Sequence, residues 1–564
     1  MFQDYSIKGK LCWRNTIIDT EELKTRVSQY AGALAGFADG DSPVVLHFSR
    51  GPEAVICMLA LLESGIPFLN IDKLIPEKRM QYMIEEVNAK VVIHDGDFEL
   101  SGITAINVNS LGNMLCRDMK GPGSSSIAYY LFTSGTTGRP KAVPILRTAL
   151  ANFFDGMDQI FHFQTDRKIL NLTSYSFDIV FLELLFGVYT GLCVVLTSDE
   201  EAGNIRELQK MLVKNEIQIM QLTPSRLKMF LLVDKDLKCL SAIEFILVGG
   251  EAFPKDLLEV LQKKTTARIF NMYGPTETTI WSCVADLTTA KEINIGKPVL
   301  NTNIYILDEN NVVLGNNVEG EIAISGAGLS NGYYGNDEAT HKAFVEIEDN
   351  GANIRVYKTG DIGMRDNEGV FFCYGRRDNQ IKLNGHRIEV DDIDSNLKES
   401  GYVIDAVTCM DNQKNQLITF YKSDKEISTS NLISELSERL PNYMVPKVFH
   451  RVDDFEYTVS GKTNRKKMLE LFYSGATEDK GQNSEELSVE KKVLHVFHEN
   501  KIDNITVDSI VDDVVADSVS FVEIVVALEE VFDFEFDVDY LDMGKFKSIK
   551  DIIEYVKQNS SQTV

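Results

Sequence analysis

A chain of 564 residues is too long for one compact core, so two or more domains are expected, and a hydrophobic fraction of 44% is ample for globular packing. Its 84 acidic against 57 basic side chains leave a net charge of −27, which repels nucleic-acid backbones and anionic membranes and removes both as expected partners. The eight cysteines (Cys12, Cys57, Cys116, Cys193, Cys239, Cys283, Cys373, Cys409) form no Cys-x-x-Cys pair, which fits a reduced, cytosolic set rather than a disulfide framework or a zinc site, and MFQDYSIKGK at the start lacks an apolar signal core.

In chain order, β-type apolar runs alternate with helical ones. "PVVLHFS" precedes the helical "EAVICMLALLESG", which ends at Gly65; then come "PFLNID", the helical "EKRMQYMIEEVNA" and "KVVIHD". The pattern returns as "IQIMQLTPS", "RLKMFLL", "IEFILVGG", "PKDLLEVLQKK" and "ARIFNMYG". Such alternation predicts parallel-type sheets covered by helices, with ligand loops at the C-terminal ends of the strands. Between the two series, "IVFLELLFGVYTGLCVVLT" (179–197) is apolar enough to suggest a membrane span. Glu183 within it, Asp178 before it and Gly191 dividing it predict instead a buried helix followed by a buried strand.

From about residue 300 shorter strands and turns follow, as in "NIYILDENNVVL" and "GEIAISG". Beyond Gly375 the chain restarts as a small α+β unit, with "VIDAVTCM" and "NQLITFYKS" as strands and "TSNLISELSERL" as a helix. The polar stretch "YSGATEDKGQNSEE" (473–486) reads as a linker. From Glu485 onward, 19 acidic against 7 basic side chains mark a separate, strongly acidic, helix-rich domain.

The motif that carries most chemistry is "YYLFTSGTTGRPKAVPI" (129–145). Small residues with free backbone N–H groups beside a cation suit a phosphate, although Gly-x-x-x-x-Gly-Lys-Ser/Thr is absent because Arg139 follows Gly138. Four further segments follow in order: "NMYGPTETTIW" (271–281), "YKTGDIG" (357–363), "YGRRDNQIKLNGHRIE" (374–389) and "TVSGKTNRKK" (458–467).

Over roughly residues 1 to 470 this series resembles the adenylate-forming enzymes, specifically the adenylation domains of nonribosomal peptide synthetases. The resemblance implies a large N-terminal domain (1–375), a small mobile C-terminal one (376–472) and chemistry dominated by charge neutralisation, since a carboxylate must attack the α-phosphate of ATP. It implies that Thr133, Ser134, Gly135, Thr136, Thr137 and Gly138, with Lys141, hold the β,γ-phosphates. Glu277 of "GPTET" would be the Mg²⁺ ligand, a hard oxygen donor for a hard cation, with Thr276 beside it in the catalytic set. Asn271 and Tyr273 would face adenine, Gly250 and Glu251 join the nucleotide-binding set, Asp361 takes the ribose hydroxyls, and Arg376 approaches ribose or phosphate. Lys462 would bridge the substrate carboxylate and the adenylate, in a segment that reads Ser-Gly-Lys where the family more often has Asn-Gly-Lys. Asp378 stands at the family's hinge, where rotation would withdraw Lys462 and bring "KLNGHRIE" to the site for a second half-reaction.

Asp178 in "SFDIVFLE" stands where amino-acid-activating members pair an acid with the substrate ammonium, and a carboxylate in so apolar a run calls for a cationic partner. The remaining pocket positions are Ile179, Leu182, Gln221, Leu247, Gly249, Met272, Ile280 and Trp281, a lining apolar apart from Gln221 and closed by an indole. This set resembles that of glycine-activating domains.

The tail's "VVADSVSFVEIVVALEEVFDFEFD" (514–537) places Asp517-Ser518 before an amphipathic helix with Val519, Val522, Val525 or Val526, and Phe532 on its packing face. It resembles a four-helix carrier domain (487–564), peptidyl or acyl, in which Ser518 accepts 4′-phosphopantetheine from a phosphopantetheinyl transferase. The expectation is therefore a freestanding adenylation–carrier didomain that loads glycine onto its own thiol and hands it to downstream biosynthetic enzymes docking on the carrier. A D-alanine or other small-acid carrier ligase, and a non-catalytic nucleotide-binding scaffold, stand as alternatives.

Overall fold

The computed structural model describes residues 5–37, 39–111, 125–134, 139–377, 380–383, 386–411, 414, 416–456, 463–475, 489–500, 502, 505–515, 518–532, 534–541 and 543–560, with backbone alone at 474, 475, 518, 519, 538 and 539. Two large sheets form the first part. In the six-stranded one, Thr104–Asn107, Val91–His94, Val44–His47, Phe68–Asn70 and Ile127–Thr133 run parallel, and Lys141–Leu146 closes an edge antiparallel. In the nine-stranded one, Lys10–Trp13, Cys193–Leu196, Lys168–Asn171, Ile219–Leu222, Phe245–Gly249 and Arg268–Tyr273 lie side by side in parallel. Thr16–Ile18 borders one side, while Cys283–Asp286 and then Lys297–Pro298 border the other, all antiparallel. The expectation of parallel-type sheets thus holds for the interior strands and for the edge strand Thr104–Asn107, and fails at the other edges, which are antiparallel.

"VVLH", "FLN" and "VVIH" form strands joined by the helices Pro52–Glu63 and Glu77–Glu86, as read from their periodicity. The apolar stretch 179–197 folds as expected into helix and then strand. A π-helical turn at Leu182–Phe186 leads into Gly187–Thr190; Gly191 caps it at φ +91°, and the strand Cys193–Leu196 follows. Among the described residues no helix is long and apolar enough to cross a membrane. Thr302–Leu307, Gly320–Gly326, Phe344–Asp349, Ala352–Arg365 and Phe371–Arg376 form a third, wholly antiparallel sheet. Arg376 pairs with Asp361 in this sheet, so the sheet runs one residue past the expected domain boundary at 375.

The small unit consists of the hairpin Gln380–Leu383/His386–Glu389 and the strands Asp405–Asp411, Gln416–Lys422 and Val448–Arg451, packed on the helices Val390–Glu399 and Thr429–Ser437. Its last helix, Arg465–Gly475, carries Phe472 against His450 and continues into the segment read as a linker from Tyr473, because the Tyr473 hydroxyl is hydrogen-bonded to Asp411.

Helices Val489–Glu499, Val511–Val514, Ser518–Phe532 and Ile549–Asn559 enclose the C-terminal core, which includes Phe497, Phe521, Ile524, Val525, Leu528 and Ile553. The expected single packing face of Ser518–Phe532 is in fact two. Val525 faces this core, whereas Val522 and Val526 join the core of the large unit with Leu227 and Phe230. A helix apolar on more than one side is one that is covered on more than one side.

Candidate active site

The C-terminal ends of Ile127–Thr133, Lys168–Asn171, Ile219–Leu222, Phe245–Gly249 and Arg268–Tyr273 converge, as open α/β sheets require of a ligand site. Thr133 and Ser134 end one strand, both buried, and Lys141 opens its antiparallel neighbour opposite Thr133. The Lys141 ammonium lies 5.0 Å from the Tyr333 ring centre. Burial lowers its pKa, while Glu389 and Glu277 act in the opposite sense. Gly135, Thr136, Thr137, Gly138, Asp378 and Lys462 lie outside the described residues.

Three of the expected nucleotide residues touch directly. Tyr273 donates its hydroxyl to Asp361 at 2.6 Å, and Arg376 reaches the other carboxylate oxygen at 3.1 Å. Asn271 donates to the Asn294 carbonyl at 2.8 Å, and Glu251, after Gly250 at φ +83°, accepts from the Ser225 hydroxyl at 2.6 Å.

Glu277 is completely buried. One carboxylate oxygen accepts from the Tyr333 hydroxyl at 2.9 Å and the other pairs with the Arg387 guanidinium at 2.9 Å. Burial alone would push this carboxyl up; the Arg387 charge and its hydrogen bonds outweigh that and hold it below the usual value. Arg387 comes from the His386–Glu389 strand of the small unit, and its carbonyl accepts from the Ser134 hydroxyl at 3.1 Å. The hairpin therefore contacts Ser134 and Glu277 at once. Arg79 against Asp392 at 3.5 Å and Phe177 edge-on to His386, centroids 5.1 Å apart, join the small unit to the large one here, while His386 stacks on Tyr443 within the small unit, centroids 3.7 Å apart. The motif "KLNGHRIE" pointed to this strand, but nothing local to it indicated that Arg387 would meet Glu277.

Among the described residues no cluster of three His, Cys, Asp or Glu side chains could hold a metal. A lone hard carboxylate nevertheless fits Mg²⁺, which is commonly held by one or two carboxylates with substrate phosphates completing its shell.

Asp178 is buried beside Thr133, Ser134, Thr276 and Arg387 around a cavity of about 80 Å³. Burial pushes its carboxyl up to about 6, against hydrogen bonds from the Thr276 hydroxyl and the Ile179 amide. Ile179, Gln221, Gly249 and Trp281 line a second cavity of about 270 Å³ with Arg50, Thr223, Arg226 and His386. Leu182, Leu247, Met272 and Ile280 are fully packed in the core behind it.

Trp281 owes its place to backbone geometry no pattern reveals. Thr279 and Ile280 take φ +65° and +68°, a conformation rare for a β-branched residue. Tertiary bonds hold the turn: Thr279 donates its hydroxyl to the Gly328 carbonyl at 2.7 Å, the Ser282 amide donates to the Tyr273 carbonyl at 2.7 Å, and a Cβ at Gly274 would strike the Ile280 carbonyl. The indole then lies so close to Gly249 that a Cβ there would stand 2.5 Å from the ring.

The C-terminal unit is docked beside this cavity. The helix Pro224–Val233 lines it with Arg226 and packs on the helix Ser518–Phe532, with Leu227, Phe230 and Val522 in one core. Arg206 grips both Glu529 oxygens at 2.8 Å and donates to the Phe536 carbonyl at 2.7 Å; Lys235 pairs with Glu530 at 3.0 Å. The backbone of Ser518 opens the docked helix, one turn before Val522.

Residues 10–334 match the family model described as AMP-binding enzyme, and the chain belongs to that family. Within it, this is an adenylate-forming ligase of the nonribosomal peptide synthetase type, as its similarity to known proteins bears out. It is 32% identical over 454 residues to the dimodular nonribosomal peptide synthase of Bacillus subtilis (strain 168), covering 78% of this chain and 19% of that protein. The chain thus spans less than a fifth of that relative's length. Holo-PA1221, an NRPS protein containing adenylation and PCP domains bound to a vinylsulfonamide inhibitor, superposes with a TM-score of 0.78 at 22% identity, over 97% of this chain and 95% of its own. Holo-AB3403, a four-domain nonribosomal peptide synthetase bound to AMP and glycine, gives a TM-score of 0.60 at 27% identity, over 99% of this chain and 42% of its own.

Proposed function

We propose that this chain activates glycine as glycyl-adenylate at the expense of ATP and transfers it to a 4′-phosphopantetheine thiol on Ser518. The observation that favours glycine is the Trp281 indole set against Gly249 on an otherwise apolar wall with Ile179 and Gln221, where it occupies the end a side chain would reach, with Asp178 buried beside the neighbouring cavity to take the ammonium. The glycine named in holo-AB3403 supports the same reading.

Thr133, Ser134 and Lys141, with the loop between them, hold the β,γ-phosphates; Asp361 and Arg376 hold ribose; Asn271 and Tyr273 flank adenine; Gly250 and Glu251 complete the nucleotide set. Glu277, with Thr276 beside it, would hold Mg²⁺, which supplies charge neutralisation at the phosphates. Lys462 serves the adenylation step, and rotation at Asp378 exchanges it for the hairpin carrying Arg387. The seated hairpin and the docked C-terminal helix correspond to the transfer step, in which an arm on Ser518 passes Thr223 and Arg226 into the larger cavity.

Amino-acid-dependent pyrophosphate exchange, followed by intact mass spectrometry with coenzyme A, a phosphopantetheinyl transferase, ATP and mixed amino acids, tests both parts. A holo mass increased by one glycyl unit is expected, and abolished by Ser518→Ala. Exchange with another amino acid but none with glycine refutes the substrate, and no arm on Ser518 refutes the carrier.

A further inference from the structure

Behind the pocket wall lies a buried carboxylate that neither the adenylation chemistry nor the pocket lining uses. Glu183 is completely buried on the π-helical turn Leu182–Phe186. Five donors converge on it. One oxygen accepts from the Asn171 side chain at 2.9 Å and from the Leu172 and Thr173 amides at 2.9 and 3.0 Å. The other accepts from the Thr173 hydroxyl at 2.6 Å and from Gln221 Nε2 at 3.4 Å.

A carboxylate in such a ring of N–H and O–H groups is an acceptor on both sides, so it dictates which way the Gln221 amide faces. The Ile179 carbonyl, 3.1 Å from Gln221 Nε2, imposes the same choice. With its NH₂ committed to two acceptors, Gln221 presents its carbonyl to the cavity side. There it accepts from Trp281 Nε1 at 3.0 Å, and an indole nitrogen can only donate. A reversed amide would set N–H against N–H at Trp281 and oxygen against oxygen at Glu183 and Ile179.

We infer that Glu183 is a specificity-determining positioning residue: through Gln221 it fixes the Trp281 ring across the amino-acid pocket and thereby sets how strictly a side chain is excluded. The inference rests on the reading of Gln221 and Trp281 as pocket wall. It adds a residue that never touches the substrate. The strained turn at Thr279 and Ile280 aims the indole, and the Glu183–Gln221 pair locks its rotation; an unpinned ring could swing aside for a methyl group.

The test is a cycle of Glu183→Gln, Gln221→Met and the double variant in the full-length protein, with exchange measured for glycine, alanine and serine. In Glu183→Gln the three N–H donors keep the new amide oxygen on their side, so its NH₂ confronts Gln221 Nε2 and the relay is broken without loss of volume. Relative acceptance of alanine should rise about tenfold in each single variant, the scale on which one methyl group is discriminated. The double variant should match Gln221→Met alone, because Glu183 acts through Gln221. Only Trp13 and Trp281 carry indoles, so the Trp281 N–H resonance can be followed directly by NMR, and it should move in both single variants. Unchanged selectivity in folded Glu183→Gln, or additive effects in the double variant, overturns the inference. If Glu183→Gln does not fold, Gln221→Met decides: a shifted indole resonance with unaltered selectivity is equally fatal. A wild-type enzyme that prefers another amino acid refutes the glycine reading alone, since the relay is then judged by whether that profile widens.

Discussion

Replacing Arg387 by alanine should separate the two half-reactions proposed above. The guanidinium contributes a 2.9 Å pair to a carboxylate that has no exposure, while its own side chain keeps 23% of its surface accessible. Removing one partner of a buried pair costs about 3–5 kcal/mol, and the accessible fraction of Arg387 lets solvent soften this to about 2–4 kcal/mol. The whole cost falls on the arrangement with the hairpin seated. At about 1.4 kcal/mol per decade the seated population drops roughly 30- to 900-fold relative to the unseated one.

Pyrophosphate exchange should therefore change less than about threefold, since adenylation is assigned to the arrangement that Lys462 serves. Single-turnover loading of the Ser518 arm, measured by acid quench and intact mass, should slow by at least about tenfold. Arg387→Lys restores the charge without the forked donors and should recover only part of the rate. Equal losses in exchange and loading, or loading at the parent rate, would refute the assignment of this pair to the transfer step.

Trp281→Ala opens the space beside Gly249, and alanine and serine should then compete with glycine in exchange, at a gain of roughly 1–3 kcal/mol in relative transition-state binding. Asp178 titrates near 6 in the free protein, so kcat/KM for the amino acid should fall about tenfold per pH unit below that value, as protonation removes the partner of the ammonium. Because its folded pKa is raised, its favourable contribution to stability is full below the unfolded pKa and is lost as pH rises through about 6; Asp178→Asn should accordingly raise the melting temperature at pH 8 while abolishing amino-acid-dependent exchange. Arg206→Glu sets like charges against Glu529 and should slow loading at least about tenfold with exchange intact, a loss that Glu529→Arg in the same chain recovers.

What was legible in the sequence is what is local. The segments "KVVIHD" and "GEIAISG" form strands as read from their β-type apolar runs, and Gly191 divides helix from strand where the sequence placed the break. Asp361, Tyr273 and Arg376, drawn from three separate motifs, do meet. The pairing of Glu277 with Arg387 spans 110 residues and depends on how two units are placed, which neither motif encodes by itself. Ile280 at φ +68° contradicts its own propensity and is legible only once Gly274 and Gly328 are seen to clamp the turn. Val522 and Val526 looked like part of one amphipathic stripe because periodicity reports burial and is silent about which partner does the burying.

The burial of Glu277 also bears on the order of events. An ionised carboxylate with no exposure cannot be left bare without a cost of several kcal/mol, so it requires a cation in every arrangement the enzyme visits. Here Arg387 supplies it, and the same strand takes the Ser134 hydroxyl with its own backbone carbonyl. One hairpin thus occupies both the acid assigned to the metal and a hydroxyl assigned to the phosphates. If those groups hold the nucleotide's phosphates and metal as proposed, seating of the hairpin would compete with them. On the proposed function, transfer would then wait for pyrophosphate to leave, because a single buried charge can satisfy only one partner at a time.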